Sequence, residues 1–481
     1  MNPKQIAELG VARLGLPIPM AKLVTIQSIA VALRNKQTEE IYSDALIDWA
    51  GSRRLESECL EALCPLLITK PKPALATRMQ KAIKYPSLAS NLLLSIATNK
   101  PIYRTNWKEC HSGLVPELLG LTEQESVLRA GFVIPLSFTD KLEELQEISG
   151  LPFIRQWAYE YKLLSEKMGI RIDEHQADGY LAYFLDSGRE DVGQFVALQG
   201  HLARSAYLRT LACAKDVWNM PDEESYFYAQ ATFPAEPAFL MLVPQAFPDW
   251  AQDVHNQSAT LASNAMALAS AVVQRIEEAE QAKLMHCSLS VINEPQFHAE
   301  LEVFSFIKLA DNIKPGKVIN FYRNLLGKVF PLQTNNRSFI SRKISRDVTR
   351  PLGFAPLITP LIGQEVGYLQ TEFLCRLSYM PLSTNSIPAL ELVGQQDKAI
   401  LRSGGQNVGT WKWWRWNWKP SHPKGWPSPT ACCTYLQPAV VQKMANDLGG
   451  SFERVWVLTT WHRQKEYGEW ERSERVGNLT E

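Results

Sequence analysis

Residues 251–292, AQDVHNQSATLASNAMALASAVVQRIEEAEQAKLMHCSLSVI, contain the change of period that decides the fold. From Ala251 to Lys283, Val254, Leu261, Ala265, Leu268, Val272 and Ile276 keep close to helical spacing, which predicts an amphipathic helix. Its far end, Glu277, Glu278 and Glu280, reads as a solvated tail. From Cys287 to Ile292 the composition becomes β-branched and alternating, which predicts a strand.

The two sides of this switch differ throughout. Upstream, Leu23, Ile26, Ile29 and Ala30 form a helical stripe. Leu55, Cys59, Leu63 and Leu66 form another after Gly51-Ser52-Arg53-Arg54. Further helices are predicted over Phe153 to Met168, Ala177 to Leu185 and Val192 to Trp218. Downstream, Tyr368 to Tyr379, Lys398 to Arg402, Thr410 to Trp418 and Arg454 to Trp461 read as strands. Two helices interrupt them: Lys317 to Val329, and Pro438 to Leu448 with Gly449-Gly450 as its stop. Phe297 to Leu309 can be read either way. The expected fold is α+β and mostly helical. An irregular helical stack over 1–285, serving as scaffold or docking region, precedes a mixed α+β domain over 286–481. No fixed repeat period runs through the helical part.

Apolar residues make up 46% of the 481, enough to offset chain entropy, so intrinsic disorder is excluded. The longest early apolar run, Leu23 to Leu33, is interrupted by Gln27 and falls short of the ~20 residues that span a bilayer, so no membrane partner is expected. Eight scattered cysteines without a C-x-x-C pair fit reduced thiols in a cytoplasmic protein better than a disulfide framework or a structural zinc site.

The net charge is zero, but only in total. Residues 1–312 carry 28 Lys+Arg against 38 Asp+Glu, residues 313–424 carry 16 against 5, and residues 425–481 carry 6 against 7. The middle block is therefore basic by 11, and within 313–350 nine cations face Asp347 alone. A field of one sign attracts a polyanion at long range. The plain alternative is that this block docks on the acidic N-terminal part of the same chain.

Two constellations lie in the basic block. A helix expected from about Ser338 to Thr349 sets Ile340, Ile344 and Val348 on one ridge. Arg342, Arg346 and Arg350 fall about 200° away, suited to phosphates as bidentate donors. Arg337 and Lys343 widen that surface. The second constellation is Trp411-Lys412-Trp413-Trp414-Arg415-Trp416-Asn417-Trp418-Lys419, delivered by the Ser403-Gly404-Gly405 turn. On a strand, Trp414, Trp416 and Trp418 share a face with Lys412, and Trp411, Trp413, Arg415 and Lys419 share the other. One face is expected to be core and the other to stack bases, unless the whole strand is core or a protein-docking surface.

A weaker candidate is His298, Glu300 and Glu302, which project together on a strand and would suit a divalent cation. No H-E-x-x-H, G-x-S-x-G or dinucleotide fingerprint occurs, so no catalytic residue and no cofactor is assigned. The leading expectation is a non-enzymatic, sequence-independent binder of DNA or a single strand. Its contacts would be Arg337, Arg342, Lys343, Arg346, Arg350, Lys412, Trp414, Arg415, Trp416, Trp418 and Lys419. The alternatives are a structural subunit of a protein assembly anchored by the tryptophan strand, and a divergent metal-dependent hydrolase built on His298, Glu300 and Glu302.

Overall fold

The computed structural model describes residues 1–69, 73–102, 105–129, 136–169, 198–243, 245–251, 254, 264–294, 296–323, 333–334, 342–343, 349–360, 369, 379–415, 430–465 and 468–479. The fold is α+β, with helices in the N-terminal part and an antiparallel sheet in the C-terminal part. The chain forms two compact units. One comprises Met1–Met241 with Ile362–Phe373, of which Leu369 is described; the other comprises Leu242–Leu361 and Leu374–Glu481. The position 285 drawn from the change of period lies inside the second unit.

The first unit is an irregular stack of helices: α1 (Pro3–Ala12), α2 (Pro19–Arg34), α3 (Glu39–Gly51), α4 (Glu56–Thr69), α5 (Pro73–Ala82), α6 (Leu88–Thr98), α7 (Thr122–Arg129), α8 (Leu136–Ser149), α9 (Phe153–Met168), α10 (Leu198–Val217) and α11 (Asp222–Ala229). The α2 stripe of Leu23, Ile26, Ile29 and Ala30 is buried, as its spacing requires. Helix α4 is buried on nearly all sides, polar residues Glu56, Ser57 and Glu61 included. A central helix of this kind must satisfy its polar groups inside the stack. Lys22 of α2 does so for Glu61, donating to Oε2 at 2.5 Å and to the Leu14 carbonyl at 2.6 Å. Arg209 of α10 donates to Glu56 Oε1 at 2.7 Å. Helices α9 and α10 are joined by Trp157, whose indole donates to the Ala203 carbonyl at 3.1 Å.

The second unit is built on a sheet whose described strands are β1 (Lys283–Asn293), β2 (Phe297–Lys308), β5 (Phe354–Pro356), β8 (Leu390–Gly394), β9 (Lys398–Ser403), β10 (Gln406–Arg415), β11 (Thr430–Leu436), β12 (Ser451–His462) and β13 (Glu471–Leu479). The order is β13-β12-β2-β1-β11-β10-β9-β8, with β5 pairing a second stretch of β2. Each of these pairings is antiparallel. Two short ribbons stand apart: β3 (Gln333–Thr334) with β4 (Arg342–Lys343), and β6 (Ile358–Pro360) with β7 (Tyr379–Pro381). The β9–β10 hairpin turns on Gly404 and Gly405, both at positive φ, the conformation a two-residue turn matching the strand twist requires.

Helix α12 (Ala265–Glu280) covers one sheet face. Its Leu268, Val272 and Ile276 pack in one cluster with Cys287, Leu289, Leu301, Val303, Cys433 and Leu458. Each such leucine, valine or isoleucine contributes roughly 1.5–3 kcal/mol by leaving water. At the end of α12 only Glu278 of the three glutamates is exposed as expected; the other two are engaged. Glu280 accepts from Lys412 Nζ at 2.7 and 2.8 Å and from the Tyr435 hydroxyl at 2.6 Å, while Glu277 pairs with Arg454 and with Lys283. Carboxylates at a helix C-terminus oppose its dipole, and the strand cations compensate them. The other sheet face carries an aromatic cluster in which Phe304 stacks on Tyr322 of α13 (Pro315–Arg323) and Tyr379 meets Phe304 edge-on. Helix α14 (Pro438–Leu448) has the expected bounds and stops at left-handed Gly449.

Candidate nucleic-acid interface

Arg342 and Lys343 are extended residues of the two-stranded ribbon, not helical ones. Gln333 pairs with Lys343 and Thr334 with Arg342. The expected arginine ridge of a helix over 338–349 is therefore corrected at its centre. β-Branched Ile340 and Ile344 flank these positions and favour a strand over a helix, and Ser341 and Ser345 weaken a helix. Arg337 lies in the 335–341 connection and Arg346 just beyond the ribbon, both outside the described residues. Arg350 begins the short 3-10 turn Arg350–Leu352 and is exposed, and Gly353 closes the turn at φ 78°.

The tryptophan strand follows a different course. Trp411, Trp413 and Trp414 are all buried, so both faces of β10 are core over this stretch. Trp414, expected on the stacking face, belongs to the α12 core cluster and meets Trp250 edge-on at 5.9 Å. Lys412 is half-buried and committed to Glu280, with its ammonium 5.9 Å from the Tyr435 ring centre. Both are thus engaged within the fold: β10 lies inside the sheet, with Trp411 and Trp413 buried on one face and Trp414 on the other. Arg415 ends β10 opposite Thr430. Trp416, Trp418 and Lys419 lie outside the described residues.

The segment from Phe297 is a strand, so His298, Glu300 and Glu302 do share one face of β2. They do not converge as a ligand set. His298 Nε2 lies 2.8 Å from Glu300 Oε1, whereas Glu302 pairs at 3.0 Å with Arg323, which also bonds Glu474 at 2.8 Å. Partial burial works against ionisation of Glu474, but the Arg323 and Arg472 guanidiniums outweigh it and hold that carboxyl below its usual range. Among the described residues no group of three or more His, Cys, Asp or Glu side chains is placed to hold a metal ion.

One constellation has no sequence signal at all. Ser57 Oγ lies 2.9 Å from His201 Nδ1, and His201 Nε2 lies 3.6 Å from Glu61 Oε1. Residues of this type at these distances suggest nucleophilic catalysis, but Ser57 is fully buried and its hydroxyl donates to the His201 carbonyl at 2.8 Å. Arg204 donates toward His201 Nδ1 at 3.2 Å, so that nitrogen accepts and the ring proton sits on Nε2, facing Glu61. Burial first, then Arg204, Lys22 and Arg53, hold the imidazole well below its usual pKa. The group is a sealed structural network. Residues 57, 61 and 201 are too far apart in sequence for any spacing rule to unite them.

Comparison with protein-family models gives no match, and no curated protein matches the sequence. Among the described residues, no helix is long and apolar enough to cross a membrane.

Proposed function

We propose that the second unit binds nucleic acid without sequence preference, through phosphate contacts made by the basic β3–β4 ribbon and its flanks. The observation that carries this reading is the ribbon's composition. Arg342 and Lys343 form one strand, Arg337 lies in the connection, and Arg346 and Arg350 follow, within a 313–350 stretch of nine cations and one acid. The second unit as a whole holds 25 Lys+Arg against 19 Asp+Glu, and the first holds 25 against 31. A two-stranded ribbon has the width that a duplex major groove admits, and guanidiniums match phosphate oxygens in pairs. No base-reading motif accompanies these residues, which supports binding by charge. Seven described cysteines are free thiols, in keeping with a cytoplasmic protein.

The test is fluorescence anisotropy with labelled duplex and single-stranded DNA. The triple variant Arg342→Ala, Lys343→Ala, Arg350→Ala is expected to bind both probes more weakly. Its log K against log salt slope should fall by roughly 0.9 per phosphate no longer neutralised on duplex and roughly 0.7 on a single strand. Unchanged affinity and slope in a folded variant would overturn the proposal.

A further inference from the structure

Strand β13 lies at the end of the sheet order, pairing with β12 through nine consecutive residue pairs from Arg454–Leu479 to His462–Glu471 without a bulge. Among the described residues it pairs on that side only. Glu471 to Val476 are all exposed. Gly477 lets the strand lie flat against its neighbour, since a Cβ there would come within 2.6 Å of the Trp456 ring. A regular, unbulged edge of this length is a template for another strand.

The sequence of that edge is Glu471-Arg472-Ser473-Glu474-Arg475. Set antiparallel to itself about Ser473, Glu471 of one copy falls opposite Arg475 of the other, and Arg472 opposite Glu474, twice over by symmetry. All four charged pairs are then of opposite sign. Directly opposed residues point to the same face, so each pair is in reach of contact. Sliding one strand by one or two residues in either direction places like charges opposite each other: Glu471 against Glu474, Arg472 against Arg475, or Arg472 or Glu474 against itself. The next pair outward in the matched register sets exposed Val476 against Trp470. Mixed charge on an edge strand ordinarily discourages pairing, but here it discourages every neighbouring register and favours one.

We infer that β13 is a homodimerisation edge, on which a second copy of this chain adds its own β13 antiparallel about Ser473 to make one sheet continuous across a twofold axis. The occupant is a second copy because the charge pattern is complementary to itself in that single register.

The test is sedimentation of the full chain over a dilution series, freed of nucleic acid by a high-salt wash and checked by its absorbance ratio. Glu471 and Arg475 are the positions to alter, since they form the outer charged pairs of the matched register; Glu474 binds Arg323 and Arg472 within the chain. Glu471→Arg alone and Arg475→Glu alone each set like charges opposite twice, and each should weaken dimerisation by roughly tenfold or more. An equimolar mixture of the two variants restores both attractive pairs and should form a heterodimer. The double variant should dimerise as the wild type does. A wild type that stays monomeric throughout would overturn the inference, as would a dimer indifferent to both single changes. So would two singly altered proteins, each with wild-type melting, that fail to pair when mixed.

Discussion

The tryptophan strand and the basic ribbon carry the same kinds of cation in the same basic block, and the structure shows what becomes of one of them, Lys412. On β10, Lys412 is held by Glu280 and Tyr435, and Trp411, Trp413 and Trp414 are core. On β3–β4, a two-residue pairing stands apart from the main sheet, followed by exposed Arg350. A cation counted in a sequence is available to a ligand only if no internal carboxylate already holds it. For Lys412 the position of its strand inside the sheet, not local composition, decides that outcome.

The comparison breaks most readily at the cations and rings assigned to the fold. Lys22 is the most deeply committed cation, and Lys22→Met strands the Glu61 carboxylate. Denaturant unfolding should show a loss of about 3–5 kcal/mol. Trp414→Ala should cost a similar amount, about 3–5 kcal/mol, by opening a cavity beneath α12. A loss under 1 kcal/mol in the same measurement would mean that the ring is not core. Glu280→Gln weakens hydrogen bonds from Lys412 and Tyr435 and should lower stability by about 1.5–3 kcal/mol while leaving DNA affinity unchanged.

A smaller effect sharpens the same distinction through pH. His201 is held neutral in the folded chain, whereas an unfolded histidine takes a proton near pH 6.5. Below that pH the unfolded state binds more protons, so this contribution is fully present above about 6.5 and declines as the pH falls. At about pH 5.5 the loss attributable to His201 approaches roughly 1.4 kcal/mol. His201→Asn should show a shallower fall in stability between neutral pH and 5.5. An unchanged pH dependence would contradict the neutral, sealed imidazole.

Local patterns were legible where a single period or a single stop governed the element. Helices α9 and α14 begin and end where their apolar spacing, proline and glycine indicate, and the Gly404-Gly405 turn delivers β10 as expected. In the segment 338–349 Ile340, Ile344 and Val348 recur every four residues as a helix would have them, yet the backbone at 342–343 is extended, so tertiary pairing with 333–334 overrode the local period. The Glu277 and Glu280 tail looks solvated on the helix alone; the cations that hold it, Arg454 and Lys412, come from strands 177 and 132 residues away. The same distance hid the burial of Trp414, whose partners become neighbours only once the sheet has formed.

The most direct measurement compares the salt dependence of DNA binding in two folded variants, one from each region. Arg342→Ala with Lys343→Ala removes two cations of the ribbon. Lys412→Gln removes a cation already held by Glu280. The account predicts a reduced slope, by roughly 0.9 for each duplex phosphate left without its cation, in the ribbon variant alone. Equal slopes in the ribbon variant and the wild type, or a reduction confined to Lys412→Gln, would contradict it.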